Sequence, residues 1–490
     1  MSSMKKIFFS FLFYLLAEGC PAWGQVFNVL DYGAVKDTLH LSTSAIQKAI
    51  DDCTSKGGGT VLIPAGDYLS TGLYLKDNVN LYLEAGATLY ASRNVNDYEQ
   101  HWAIGAADHE QIEVLVGAIN AKNISVTGTG TLNCRAERIG FRRSPQLAVT
   151  DSITGREIDN AIRYGADYQS KFKKVPPFTG AINFNGCTNV HIRDVQVVEA
   201  NSWSVHIQWC DRVFVNGIHI KSSSADGVNS DGLDIDGCSN VTISDCVIDT
   251  GDDALCLKTT LKDGKALPCQ WITVTNCILT SSSAALKLGT ESHANFENIT
   301  ISNCLIKDAN RGLNIIIRDG ATVRNVVISD LVIHTVRKAT FWWGNGDPLW
   351  FTIQKRENSC FAGSIENVSI NNIIAYGQSG VRMEGFHNVM KNIRINNFQL
   401  FMEPEPVIDK RARNGFLFYG VEGLSLIDCQ VKWNTEHAQK EWESAYLFEN
   451  IKGLEMVRVK GEKAPFGEKD AFLYKNVRDI TIDGKVGKDM

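Results

Sequence analysis

Three aspartates sit close together in a pattern suited to acid–base chemistry. Asn229-Ser230-Asp231-Gly232 is followed, about one coil of chain later, by Gly251-Asp252-Asp253. Aligning the apolar residues around them gives a common frame. Asp231-Gly232-Leu233-Asp234 is matched by Asp253-Ala254-Leu255-Cys256, then Ala284-Ala285-Leu286-Lys287, then Arg311-Gly312-Leu313-Asn314. If each match is one coil of stacked strands, Asp231 and Asp253 are vertical neighbours ~4.8 Å apart in backbone. Asp252 stands beside them and Arg311 lies two coils farther along the same column. Crowded carboxylates raise one another's pKa. That separates a protonated acid from an ionised base, the pair needed to hydrolyse a glycosidic bond. The same residues also fit a turn-capping Asp/Asn ladder or a Ca²⁺ site. Lys258, Lys287, Glu291 and Arg311 fall around the aspartates in this frame. Lys287 and Arg311 suit an anionic group, or else they balance the aspartates. Glu291 orients Lys258 or takes a sugar hydroxyl.

The elements that must hold this cluster are repeats. Asn189–Val197, Asn240–Ile248, Asn298–Ile306 and Asn325–Ile333 share one pattern: Asn, alternating β-branched residues, two turn residues and a further apolar pair. Variants begin at Asn123, Arg212, Trp271, Asn367, Asn392, Gly423 and Asn476, mostly at intervals of roughly 25 residues. Alternation over a strand's length, with Gly, Asn, Asp and Ser between copies, predicts stacked strands rather than helices. Hairpin dipeptides are scarce, which argues against a β-sandwich. The expected fold is all-β: a single-stranded right-handed parallel β-helix, a solenoid, with an N-terminal capping helix. Ser42–Cys53 reads as that cap, with Ala45, Ile46, Ala49 and Ile50 as its apolar stripe. Cys187, Cys238, Cys246, Cys277, Cys304 and Cys429 fall at related places in the repeats and predict stacked small core residues. Cys256 and Cys269 bracket a polar loop and are a candidate disulfide.

The rest of the chain bounds the setting. Lys5 and Lys6, the apolar run Ile7–Leu16, and Ala22 and Gly24 before Gln25 predict a signal peptide over residues 1–24. Residues 25–490 are then one catalytic β-helix, interrupted by loop insertions at 133–179 and 334–366. The protein is expected to be exported, periplasmic or extracellular. A lipid-anchored surface form is the variant reading of Ala17-Glu18-Gly19-Cys20. No later run is long and apolar enough to cross a membrane. A net charge of −6 argues against a nucleic-acid partner.

The motifs Asn229-Ser230-Asp231-Gly232 and Gly251-Asp252-Asp253 resemble those of glycoside hydrolase family 28, the polygalacturonases and rhamnogalacturonan hydrolases with a pectin-lyase-like fold. Phe27–Ala34, Gly58–Val61, Pro64–Tyr68 and Gly128–Thr131 are similar to that group's opening strands, so the likeness runs in order over roughly residues 26–400. It implies an inverting hydrolase without metal or cofactor. Asp252 would be the general acid, and Asp231 and Asp253 the pair that activates water. Asn201–His206 resembles the family's N-S-P-x-W segment one coil below, shortened by one residue and without the Pro. His206 either faces the cleft as a candidate substrate contact or is a satisfied structural residue, and Asn229 of the first motif is a further candidate substrate contact. Two departures stand out. The family's G-H-G falls on Ser283-Ala284-Ala285, and its carboxylate-gripping R-I-K falls on Asn314-Ile315-Ile316. Lys258, Lys287, Glu291 and Arg311 are the candidate replacements.

Two interruptions of the repeat can wall a pocket. One carries Arg135, Arg138, Arg142, Arg143 and Arg156, which either face an anionic polysaccharide or form a solvated loop with no role. The other carries Phe341, Trp342, Trp343, Trp350 and Phe351, which either stack on sugar rings or form a buried aromatic plug. A walled groove favours exo action. The sequence therefore leads to a monomeric, exported hydrolase of an acidic plant cell-wall polysaccharide (galacturonan or rhamnogalacturonan). The alternatives are a polysaccharide lyase on the same scaffold, with Arg311 or Lys287 as base and Asp-bound Ca²⁺, or a non-catalytic carbohydrate-binding solenoid.

Overall fold

In a computed structural model, the described residues are 25–99, 102–103, 111–135, 148–150, 157–159, 179–223, 227, 229–338, 344–406 and 410–490. They form a right-handed parallel β-helix in which nearly every strand pairs in parallel with the equivalent strand of the next coil. The expected signal peptide, most of 133–179, and Phe341, Trp342 and Trp343 lie outside the described residues. So do Arg138, Arg142, Arg143 and Arg156.

The sequence repeat has a local cause. All eleven repeat starts cited above have left-handed φ, from Asn123 at 55° and Asn189 at 57° to Asn476 at 53°. Asn is the non-glycine residue that enters this region most readily. It also ties one coil to the next. The Asn325 amide donates to Asn298 (2.9 Å), Asn367 to Asn325 (3.3 Å) and Asn392 to Asn367 (2.8 Å). A second left-handed corner follows a few residues later, at Asp194, Asp245, Asn276, Asn303 and Asp330. Each coil therefore bends at fixed places, and its alternating strands keep one face inward.

That inward face is a set of aliphatic columns. One runs in unbroken register from Val190 through Val213, Val241, Ile272, Ile299 and Val326 to Val368. These side chains are at most 1% exposed. No coil can bury this face alone, so each needs its neighbours. The cysteines join the core, but as two columns rather than one. Cys187, Cys210, Cys238 and Cys269 make the first, with backbone N–H groups donating to the next sulfur at 3.2 and 3.3 Å. Cys246, Cys277 and Cys304 make the second. The expected Cys256–Cys269 disulfide is not formed, and both thiols are free. They face opposite ways: Cys269 is in the core, while Cys256 points outward and donates to the carbonyl of Gly289 (3.1 Å).

Helix α1 (Thr43–Ser55) closes the N-terminal end, burying Ile46, Ala49, Ile50 and Cys53. Six strands in consecutive coils carry the cluster: β1 (Val205–Gln208), β2 (Leu233–Asp236), β3 (Leu255–Thr259), β4 (Ala284–Ser292), β5 (Arg311–Ile317) and β6 (Asp347–Ile353). Their register follows the sequence frame: Leu233 on Leu255, Leu255 on Leu286, Leu286 on Leu313. Strand β6 lies within the interval read as a loop insertion, and it continues the coil by pairing with β5. Among the described residues no helix is long and apolar enough to cross a membrane.

Candidate active site

The three aspartates meet just before β2 and β3. One carboxylate oxygen from each of Asp231, Asp252 and Asp253 lies within 4.8 Å of the other two, and all three side chains are buried. The backbone arranges this closely. The N–H of Gly232 donates to the carbonyl of Asp253 (2.8 Å), so the two coils are directly stacked at the site. Gly251 is needed just before the pair, because a Cβ there would sit 2.2 Å from the carbonyl of Ser223.

Each aspartate has a different environment. Asp253 is clamped. Lys287 Nζ is 2.6 Å from its Oδ2, while Ser283 Oγ (3.0 Å) and the N–H of Ala284 (3.2 Å) donate to Oδ1. Arg311 donates to Ser283 (2.7 Å) and stands 4.0 Å from the carboxylate. Burial alone would raise the Asp253 pKa, but Lys287, Lys258 and Arg311 outweigh it and hold it at about 2. Among the described residues Asp252 has no ammonium partner. It accepts from the N–H of Asn229 (3.0 Å) and of Asp253 (2.9 Å). Burial and then the Asp253 charge push its pKa above the usual carboxylate range.

Asp231 shares one cation with two other carboxylates. Lys258 Nζ lies 3.2 Å from Asp231, 3.4 Å from Asp234 and 3.9 Å from Glu291, and 4.2 Å above the Trp203 ring. Burial raises Asp231, and a divided ammonium only partly offsets it. Asp234, fully enclosed with neither oxygen hydrogen-bonded, is raised to about 7 mainly by burial. Glu291 is held low, because Lys258, Lys287 and Arg356 outweigh its burial. Three carboxylates this close have the geometry of a cation site, but Lys287 and Lys258 already sit on two of them.

The expected site residues are thus gathered in part. Asp231, Asp252, Asp253, Lys258, Lys287, Glu291 and Arg311 form one contiguous cluster. Asn229 joins through its backbone N–H rather than its side chain. His206 departs from the expectation. It is 1% exposed, edge-on to Trp203 at 4.9 Å, and its ring nitrogens face Asn183 (3.3 Å) and Asp236 (3.2 Å). It supports Asp236 and Trp203 from beneath and does not open on the groove. Among the aromatics, Phe351 is core. The Trp350 ring is flanked by the Arg382 guanidinium at 4.8 Å and that of Arg311 at 5.9 Å, and its Nε1 donates to Glu384 (2.7 Å). Arginines therefore hold Trp350, so it is no open stacking face for a sugar. Trp342 and Trp343 lie outside the described residues.

The sequence reasoning overlooked Asp234, Asp236 and Ser283. Alternation along β2 puts Asp231's outward neighbours at 234 and 236, a signal that was available. The role of Ser283 depends on a hydrogen bond between coils, which spacing does not reveal.

The profile of Glycosyl hydrolases family 28 matches residues 53–341. The chain belongs to that family. A curated relative, an exo-poly-alpha-D-galacturonosidase of Dickeya chrysanthemi, is 27% identical over 259 residues. The match covers 47% of this chain and 41% of that protein, so the chain spans under half of that relative's length. Among solved structures, the exopolygalacturonase of Thermotoga maritima superposes with a TM-score of 0.64 at 20% identity, covering 84% of this chain and 92% of that one. The family 28 exopolygalacturonase of Yersinia enterocolitica superposes with a TM-score of 0.62 at 19% identity, covering 95% and 79%. These structural likenesses concern the fold. The family 28 motifs fall where the three aspartates converge.

Proposed function

We propose that this family 28 protein is an exported glycoside hydrolase that cleaves O-glycosidic bonds in pectin, a galacturonan or rhamnogalacturonan, by exo action and with inversion. The observation that carries the reading is the contrast between adjacent carboxyls: Asp253 clamped and ionised, Asp252 beside it pushed towards its protonated form. Asp252 gives its proton to the glycosidic oxygen as the bond from that oxygen to the anomeric carbon breaks. A water attacks the opposite face of that carbon and loses its proton to Asp231, which acts in its ionised form, held by the Lys258 ammonium against the burial that favours the protonated one. The two protons are rebalanced through solvent after product leaves. Asp253, with both oxygens occupied by donors, is a weak base. It holds the charge that keeps Asp252 protonated and orients the water beside Asp231. Exo action is supported by the exo-acting relatives.

The nearest oxygens of the trio lie within 4.8 Å, tighter than the ~6.5–9.5 Å usual for inverting enzymes. Inversion is retained because the alternative needs a carboxylate nucleophile, and clamped Asp253 is a poor one. The test is ¹H NMR of the first-formed anomer from defined oligogalacturonides and rhamnogalacturonan oligosaccharides. The inverted anomer, released as short products from one chain end, is expected. Retention, an unsaturated product absorbing in the ultraviolet, or mid-chain fragments appearing first would each refute the corresponding part.

A further inference from the structure

The basic pair missing from Asn314 and Ile316 has a counterpart one step along the same strand. In β5, Ile315 and Ile317 point into the core, so Asn314 and Ile316 face outward. Alternation then puts Arg318 on that outward face. Arg318 is half-buried, and its Nε is enclosed without a hydrogen-bond partner. Among the described residues its guanidinium makes no hydrogen bond or ion pair; its bonds are made by the backbone, with the N–H donating to Ser292 Oγ (2.9 Å) and the carbonyl accepting from the N–H of Arg356 (2.9 Å). A guanidinium carries five donors and keeps its charge, so leaving it unpaired in a partly dry site is costly.

The nearby acids are already occupied. Asp319 accepts from Arg356 Nε (2.6 Å) and Nη2 (2.9 Å), and from the N–H of Ser292 (3.0 Å). Glu291 lies 3.9 Å from both Lys258 and Arg356. Arg356 is held beside Arg318 by its backbone N–H donating to the Arg318 carbonyl (2.9 Å). Burial, and then the Arg356 charge, hold the Arg318 guanidinium below its usual range. All of these features favour an added anion. The site adjoins the catalytic cluster, because Glu291 touches Lys258, which touches Asp231.

We propose that Arg318, the guanidinium left unpaired beside the Asp319-bound Arg356, receives the carboxylate of a uronosyl unit bound next to the catalytic aspartates on the Glu291 side. The inference rests on the hydrolase reading for its substrate class. It differs from the sequence expectation, which gave that task to Lys287 and Arg311. Both of those donate within the protein, to Asp253 and Ser283.

The test is equilibrium binding by calorimetry, in the Asp252→Asn background, of a trigalacturonate and of its methyl ester. Arg318→Gln should weaken trigalacturonate binding tenfold or more and leave the ester within twofold, with an unchanged circular-dichroism spectrum. Arg318→Lys should recover part of the loss. Equal affinity of Arg318→Gln for trigalacturonate would overturn the proposal, as would an equal loss for acid and ester, or no binding to the parent. A parent that binds trigalacturonate through Arg318 but whose wild type does not cleave it would defeat the hydrolase reading and leave this one standing.

Discussion

Lys287→Met tests whether the site depends on a clamped Asp253. The ammonium lies 2.6 Å from Asp253 Oδ2, and the two side chains are 10% and 3% exposed. With the lysine present, the folded-state pKa of Asp253 is about 2, against 3.8 for an ordinary aspartate. A depressed carboxylate stabilises the fold above the unfolded pKa, and that stability is lost as pH falls through the folded one. Lys258, Arg311, Ser283 and the Ala284 N–H remain in the variant, but burial, the largest influence, then moves the Asp253 pKa back up towards the ordinary 3.8. The loss is therefore on the order of 2–3 kcal/mol, at 1.36 kcal/mol per pKa unit. It should be present in full above pH ~4 and fade towards pH ~2. Methionine keeps the apolar packing of the lysine stem, so little else changes. Urea unfolding of both proteins from pH 2 to 8 measures it. Activity should also fall on its acid side, because Asp253 then protonates at higher pH. Equal stability at pH 7, or a loss that does not depend on pH, would refute the clamp.

Further predictions come from other parts of the fold. Asp234→Asn should remove a destabilisation that grows with pH: burial lifts this carboxyl to about 7, so wild type loses on the order of 4 kcal/mol between pH ~4 and ~7 that the variant keeps; parallel pH curves of unfolding free energy would contradict it. Ile243→Ala, at a fully buried core position, should cost ~2–5 kcal/mol, read by urea denaturation. Asn367→Ala removes ladder bonds to Asn325 and from Asn392 at a φ of 56° and should cost ~1–2 kcal/mol, with Asn367→Gly recovering part of it. On the alkaline side, turnover should fall as Asp252 loses its proton, at a pKa above the ordinary 3.8; an alkaline limb at or below that value would count against Asp252 as acid.

The sequence carried most of the architecture because a solenoid repeats its constraints. Left-handed corners call for Asn, Asp or Gly, and inward columns call for aliphatics, so every coil repeats the same message. That made the register of Asp231, Asp253, Ala284 and Arg311 legible before any coordinates. What was not legible depends on side-chain direction and on contacts between coils. His206 looked like a cleft residue because its motif lies one coil below the aspartates, yet its ring turns under Trp203. Trp350 looked like a sugar platform because aromatics often are, yet arginines from the coils on either side flank it. Cys256 and Cys269 looked paired because they bracket a loop, yet alternation sends them to opposite faces. Arg318 was overlooked because it stands one outward step beyond the expected basic motif.

The central claim is that Asp252 is the proton donor. It is tested most directly by comparing kcat/KM of wild type and Asp252→Asn on two substrates: an oligogalacturonide, and a galacturonosyl fluoride whose leaving group needs no proton. The account predicts a ~10²–10⁴-fold loss on the oligosaccharide and less than a ~10-fold loss on the fluoride. Equal losses on both substrates, or no loss on the oligosaccharide, would contradict it.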